Sequence, residues 1–203
     1  MKKFLVKMAL ACSLVLPSAM FGLAGVFVGG EGNFAGTSVN SGVLGKVNDN
    51  IFGYGVRVGA FLGDHRLHIG YYYQPEAERG GYKSPKWNTK KTVIGWDWGI
   101  IGIGMIKAMA GLHAGYGDLT EKVTYENESY KVSNSGFLAG FKIGGKLELN
   151  SLTELELGFK REWGFYGKPD IKVEGTKADF DGSKSTRQTS NMVYIGFNIK
   201  IGL

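Results

Sequence analysis

The sequence predicts an all-β chain, a single eight-stranded antiparallel up-and-down transmembrane β-barrel preceded by a cleaved signal peptide. Three observations point there. Segments of about ten residues alternate apolar side chains with glycine or charge at period two. Short turns between these segments take turns with long polar connections. Beyond residue 24 no run approaches the ~18 apolar residues that a spanning helix needs, so a membrane form has to be built from strands.

Composition fits this reading. The chain has 203 residues, with 33 glycines but only 4 prolines, and the glycines lie inside apolar segments instead of gathering in a linker. The start, MKKFLVKMALACSLVLPSA, has a cationic end, an apolar stretch from Met8 to Leu16 and a Pro-Ser-Ala exit, the layout of a secretory leader. Residues 1–24 are therefore expected to be a signal peptide and 25–203 the barrel domain. Cleavage after Ala24 suits the small residues Gly22 and Ala24, with Ala19 the alternative. Removing Lys2, Lys3 and Lys7 from a formal charge of +6 leaves +3, too little to invoke nucleic acid. The single cysteine, Cys12, falls in the leader, so the mature chain has no disulfide and no thiolate metal ligand.

Eight strands are expected in order. Val26 to Phe34 sets Val26, Val28 and Phe34 against Glu31 and Asn33. Phe52 to Leu62 alternates Phe52, Tyr54, Val56, Val58, Ala60 and Leu62 with Gly53, Gly55, Arg57, Gly59 and Phe61. After a tight Gly63-Asp64-His65 turn, Leu67, Ile69, Tyr71 and Tyr73 oppose His68, Gly70, Tyr72 and Gln74. Lys91 to Ile101 carries Ile94, Trp96, Trp98 and Ile100 against Gly95, Asp97 and Gly99. A Gly-rich turn near 102–106 leads to Ala108, Ala110, Leu112, Ala114 and Tyr116 against Met109, Gly111, His113 and Gly115. Phe137, Ala139, Phe141 and Ile143 then oppose Leu138, Gly140, Lys142, Gly144 and Lys146. Past Asn150-Ser151, Leu155, Leu157 and Phe159 oppose Glu154, Glu156 and Lys160. The last strand sets Val193, Ile195, Phe197, Ile199, Ile201 and Leu203 against Tyr194, Gly196, Asn198, Lys200 and Gly202. The connections 35–50, 75–90, 118–134 and 167–188 are long and polar, whereas those near 64, 104 and 150 are short. Short turns belong on the periplasmic side and long loops outside.

A soluble lipocalin-like barrel shares this alternation but keeps its apolar face inside. Aromatic residues near strand ends favour the membrane form: Tyr71, Tyr73, Trp96, Trp98, Trp163, Phe165 and Tyr166 are read as an interfacial girdle. The segments GVFVGGEGNF, GYGVRVGAFLG, AGLHAGYG and the closing VYIGFNIKIGL resemble the eight-stranded OmpA/OmpX-like outer-membrane β-barrel superfamily, across nearly all of the mature chain. The resemblance implies export to the outer membrane of a Gram-negative bacterium, contact with outer-membrane lipid and lipopolysaccharide, and folding by the barrel-assembly machinery. Members usually end in an aromatic residue read by that machinery, and here Leu203 takes its place.

With the apolar row outward, Glu31, Arg57, Asp97, Lys142, Lys146, Glu154, Glu156, Lys160, Glu162 and Lys200 fall in the lumen, five basic against five acidic. An eight-stranded lumen is just wide enough for side chains to fill, so these groups are expected to pair and plug it. That implies envelope integrity or surface-loop contacts as the function, ahead of a narrow channel or lateral transport of a small apolar molecule, for which a continuous apolar lumen is expected. A lipid-modifying enzyme is the weakest reading, because His113 is followed by Ala114-Gly115 and lacks the His-x-Ser-Asn pattern of lipid A deacylases. The histidines read as interior groups satisfied by tyrosine or carboxylate. No cofactor is expected, and Asp179-Phe180-Asp181-Gly182-Ser183 lacks the downstream glutamate of a calcium loop. The run Lys83, Lys86, Lys90 and Lys91 is either a solubilising surface or a contact for lipopolysaccharide phosphates. The four loops are the expected place for an extracellular partner, and a monomer is the expected state, although Gly30 and Gly32 on the lipid face permit close strand contact.

Overall fold

The computed structural model describes residues 25–41, 45–75, 86–125, 128–167, 170–173, 176–178 and 185–202. The leader, Lys83, the segment Asp179 to Ser183 and Leu203 lie outside the described residues. Ten strands run in chain order: β1 (Gly25–Ser41), β2 (Gly45–Leu62), β3 (His65–Gln74), β4 (Lys86–Ile103), β5 (Ile106–Tyr125), β6 (Glu128–Glu148), β7 (Thr153–Tyr166), β8 (Asp170–Val173), β9 (Thr176–Ala178) and β10 (Thr186–Ile201). Eight of them close an antiparallel barrel in the order β1 to β7 and then β10, which pairs back onto β1. The short strands β8 and β9 form a flap that continues the sheet from the far end of β6.

One circuit of the ladders shows how strongly the strands are staggered. From Phe27 the register steps through Gly59, His68, Gly95, His113, Gly140, Glu162 and Ser190, and arrives back on β1 at Thr37, ten residues beyond its start. Strand number and stagger together fix tilt and width. Strands inclined by roughly 35–45° enclose a lumen that side chains fill.

The pleat then does the sorting. Val28, Phe34, Phe52, Tyr54, Val56, Ile94, Leu112, Ile143, Leu157, Val193 and Ile195 stand outward and exposed, while the residues between them turn inward and are buried. This exposed apolar belt is the surface of a transmembrane barrel. The short ends are tight. Gly63 and Gly104 take positive φ, 64° and 60°, in the turns between β2 and β3 and between β4 and β5, a conformation that suits glycine. Between β6 and β7 the Asn150 side-chain oxygen accepts from the backbone N–H of Leu152 and Thr153, both at 2.8 Å.

Two expectations are corrected here. The described parts of the four long connections are almost all strand, since β1 runs to Ser41, β2 starts at Gly45, β4 starts at Lys86, β5 reaches Tyr125, β6 begins at Glu128, and β8, β9 and the start of β10 fall in the last. Antiparallel pairing continues because the alternation persists there with its polarity reversed, a pattern that reads as loop when apolar residues are sought outside. The fourth strand also does not alternate evenly to Ile101. A bulge between Gly99 and Ile101 leaves Ile100 unpaired, so Ile100 and Ile101 are both exposed, as expected where one strand carries an extra residue.

Candidate functional site

The inward row of each strand delivers its polar groups to one axis, and they lie in tiers. At the short-turn mouth, Lys107, Lys146 and Lys200 surround Glu148 at 3.4, 3.6 and 3.5 Å, and Lys146 and Lys200 also approach Glu154 at 3.8 and 3.5 Å. These lysines are part-exposed. The tier above is buried. Arg66 joins Asp97 at 2.7 Å and Glu154 at 2.6 Å and also touches Glu156. Arg57 meets Glu156 at 2.8 Å and Glu31 at 3.6 Å, and Lys142 lies 2.7 Å from Asp97. Asn198 braces the same group, donating to Glu154 at 2.8 Å and Glu156 at 2.6 Å and accepting from Arg57 at 3.1 Å.

Higher still, Lys160 is paired with Glu31 at 2.6 Å and lies 4.5 Å from the Tyr194 ring centre and 5.0 Å from that of Tyr72, so two aromatic faces share its charge. Lys91 is paired with Glu162. Both lumen histidines are tied to carboxylates: His68 Nδ1 lies 3.4 Å from Asp97 and His113 Nε2 3.5 Å from Glu162. Between these groups a cavity of about 30 Å³ is lined by Asn33, His68, Gln74, Lys91, His113, Lys142 and Glu162, among others. A polar space of that size takes a water molecule.

The glycines opposite these side chains are spaces already occupied. A Cβ on Gly95 would meet the His68 ring at 2.3 Å, and one on Gly55 would meet the Tyr72 ring at 2.3 Å. The narrow lumen therefore alternates large polar groups with positions that carry no side chain at all.

Above the ionic tiers the lumen changes character. Thr37 and Ser190 share a hydrogen bond at 3.0 Å, Gln188 donates to Ser190 at 3.2 Å, and the Tyr166 hydroxyl donates to Gln188 at 2.6 Å. Beyond this hydroxyl layer Val39, Ile51, Trp87, Leu119 and Tyr166 pack together as a buried apolar cluster inside the barrel.

All ten side chains expected in the lumen point inward, Lys146 and Lys200 being the two at its mouth. Sequence reasoning missed Arg66 and Lys91, which are 4% exposed. Arg66 lies two residues before His68 on the same inward row but next to a segment read as turn. Lys91 has the inward parity of Asp97 but sits within an apparent surface run. That grouping is corrected: Lys91 is a lumen group, and of the run Lys90 is exposed on the outer face. Among the girdle residues, Tyr71, Tyr73, Trp96, Trp98, Trp163 and Phe165 face outward, with Trp96 and Trp98 edge to face at 6.4 Å. Tyr166 does not belong with them: it is buried in the lumen, where its ring is part of the apolar cluster and its hydroxyl has Gln188. The parity of β7 places it inside, as the neighbour of outward Phe165. Three outward rings absent from the expected girdle complete the upper edge of the belt: Tyr54, 5.8 Å from Tyr73, and the pair Tyr116 and Phe137 at 5.6 Å.

No family model and no curated protein matches this sequence. The fold, by contrast, matches solved structures. Neisserial surface protein A (NspA) is similar with a TM-score of 0.61 at 15% identity, over 89% of this chain and 99% of that one. A major outer membrane protein from Thermus thermophilus gives 0.59 at 11% identity, over 85% and 99%. Ail, the attachment invasion locus protein of Yersinia pestis, gives 0.52 at 12% identity, over 86% and 98%. The chain thus has the fold of the small outer-membrane β-barrels.

Proposed function

We propose that this chain is an integral outer-membrane protein whose lumen is a fixed plug, and that it works from its outward surface, through envelope integrity and extracellular contact, not through conduction or catalysis. The observation that carries this reading is the filled cross-section. Arg57, Arg66, Lys91, Lys142 and Lys160 are each engaged by carboxylates, and the apolar cluster around Leu119 lies across the axis above them. Two successive barriers of opposite chemistry suit neither a hydrated ion nor an apolar solute. The exposed belt meets lipid, and exposed Lys90, paired in register with Asp118 above the belt, stands where lipopolysaccharide phosphates are in reach. Insertion requires the barrel-assembly machinery, and the working state is a monomer in the outer membrane of a Gram-negative bacterium. The two lumen histidines, His68 and His113, serve the ionic network, each facing a carboxylate, whereas His65 is exposed at the turn and accepts from the Trp96 ring N–H. Planar-bilayer recording tests the proposal. The expected result is no steady conductance from the refolded chain, and a large, lasting open state overturns it.

A further inference from the structure

Where β1 lies between β2 and β10, the pairing registers stack two cross-strand rows of small polar groups. Gly36 stands between Asn50 and Asn191, and two residues further on Ser38 stands between Asn48 and Thr189. Residues directly opposite in an antiparallel pair share a face, and the exposure of Asn48, Asn50 and Asn191 makes it the outer one. Glycine at the centre of the lower row leaves a notch of about 390 Å³ in the wall, edged by these amides and hydroxyls. That is the size of a small-ligand cleft, but such clefts are mostly apolar, whereas every side chain around this one is polar. Its one charged group, Asp49, accepts from the Asn50 backbone N–H at 2.8 Å. Among the described residues none bonds to the side chains of Ser38, Asn48, Thr189 or Asn191. The notch therefore presents unengaged amides and hydroxyls, donors and acceptors side by side, the set that neighbouring sugar hydroxyls satisfy.

Depth and a neighbouring cation select the ligand. Gly36, Asn50 and Asn191 each lie two residues above an exposed apolar residue of the belt, Phe34, Phe52 and Val193 on the same strands. Two residues are about 7 Å of strand, or roughly 5 Å of height once the tilt is allowed for. A headgroup region is about 5–8 Å deep, so the notch opens among headgroups. Arg161 on β7 is exposed directly opposite Asn191, and its guanidinium lies over the Trp163 ring at 5.4 Å, which holds it at the edge of the notch. A guanidinium so placed can grip a phosphate with two parallel hydrogen bonds. We infer that this wall binds the headgroup of an outer-leaflet glycolipid, one sugar ring seated over Gly36 among Asn48, Asn50 and Asn191 and its phosphate on Arg161. An anionic phospholipid offers Arg161 the same phosphate but leaves the amides unpaired, so the sugar is what the site discriminates.

The inference rests on the proposed outer-membrane placement and orientation, so the experiment reads the barrel and the notch separately. The full chain in phosphatidylcholine nanodiscs is titrated with lipid A, dephosphorylated lipid A, phosphatidylglycerol and soluble glucosamine 1-phosphate, and bound ligand is counted by native mass spectrometry. Lipid A is expected to be held about tenfold more tightly than phosphatidylglycerol. A Cβ on Gly36 would meet nothing nearer than the Asn50 Oδ1 at 3.5 Å, so Gly36→Phe fills the notch without straining the strand. That variant and N48A/N191A are each expected to weaken lipid A binding about tenfold. Arg161→Gln is expected to weaken lipid A about tenfold and to leave the dephosphorylated form unchanged. T92A/S135A, exposed on the opposite wall at β4 and β6, is expected to change neither. Wild-type binding by both notch variants overturns the inference. So does phosphatidylglycerol held as tightly as lipid A, or glucosamine 1-phosphate bound as tightly, which makes the ligand a free solute. Heat-modifiable gel mobility of the same samples reports barrel closure. If it is retained while lipid A binding ignores the notch, the site is refuted and the barrel stands.

Discussion

On β5, Leu112, Ala114 and Tyr116 face outward and Gly111 and His113 inward, yet a few residues later Lys122 faces outward and Leu119 inward. The same reversal occurs on β1, where Glu31 and Asn33 point inside low in the barrel and Val39 points inside high up. One continuous hydrogen-bonded cylinder therefore carries two cores of opposite kind. Where lipid is the solvent, the apolar row turns out to meet it, and the ionised groups go inside, where they have to be paired. Where water is the solvent, the apolar row turns in and the barrel is built like a soluble one. The difference teaches that the backbone ladder is indifferent to which face is apolar, and that solvent at each height sets the sign.

The comparison breaks most visibly in the lower core. Arg66 serves Asp97, Glu154 and Glu156 at once, so Arg66→Met strands buried carboxylates and is expected to cost about 3–5 kcal/mol. Its urea midpoint, read by heat-modifiable mobility, should fall accordingly. Neutralising both members of a pair is a different matter. Adding Glu162→Gln to Lys91→Met, which together remove the Lys91–Glu162 contact, should restore more than half of the loss caused by Lys91→Met alone, since the penalty comes from the orphaned charge. No restoration would mean that shape, not charge, dominates this core.

The upper core should answer to volume. Leu119 is fully buried among Val39, Ile51, Trp87 and Tyr166, and Leu119→Ala is expected to cost about 2–4 kcal/mol through the cavity it leaves. Hydrogen exchange should quicken in the upper parts of β1, β2, β4 and β5 while the belt stays protected. Equal loss of protection in both regions would show a single cooperative core and remove the distinction drawn above.

These two regions were unequally legible in the sequence. The belt strands were readable because glycine or charge alternates with large apolar residues, as in Phe52 to Leu62. The upper strands were not, because AGTSVNS mixes one inward valine with hydroxyls and amides and is indistinguishable from loop by composition. Arg66 and Lys91 were hidden by their neighbours in the chain, not by their chemistry. Which charges pair was never readable, since Arg57 on β2 meets Glu156 on β7 and Lys160 on β7 meets Glu31 on β1. Such partners are set by the stagger of the closed barrel, a property of all eight strands together.

Tyr166 sits at the seam, with its ring among Val39, Ile51, Trp87 and Leu119 and its hydroxyl on Gln188. Tyr166→Phe keeps the ring and deletes only the bond to Gln188, whose own amide donates onward to Ser190 and so to Thr37. If the hydroxyl layer is what separates the two cores, the loss should be small, about 0.5–1.5 kcal/mol for one buried hydrogen bond, and it should appear as faster exchange at Gln188 and Ser190 on β10. An unchanged midpoint with unchanged exchange there would mean that the apolar cluster alone holds the boundary and that the tyrosine hydroxyl merely occupies it.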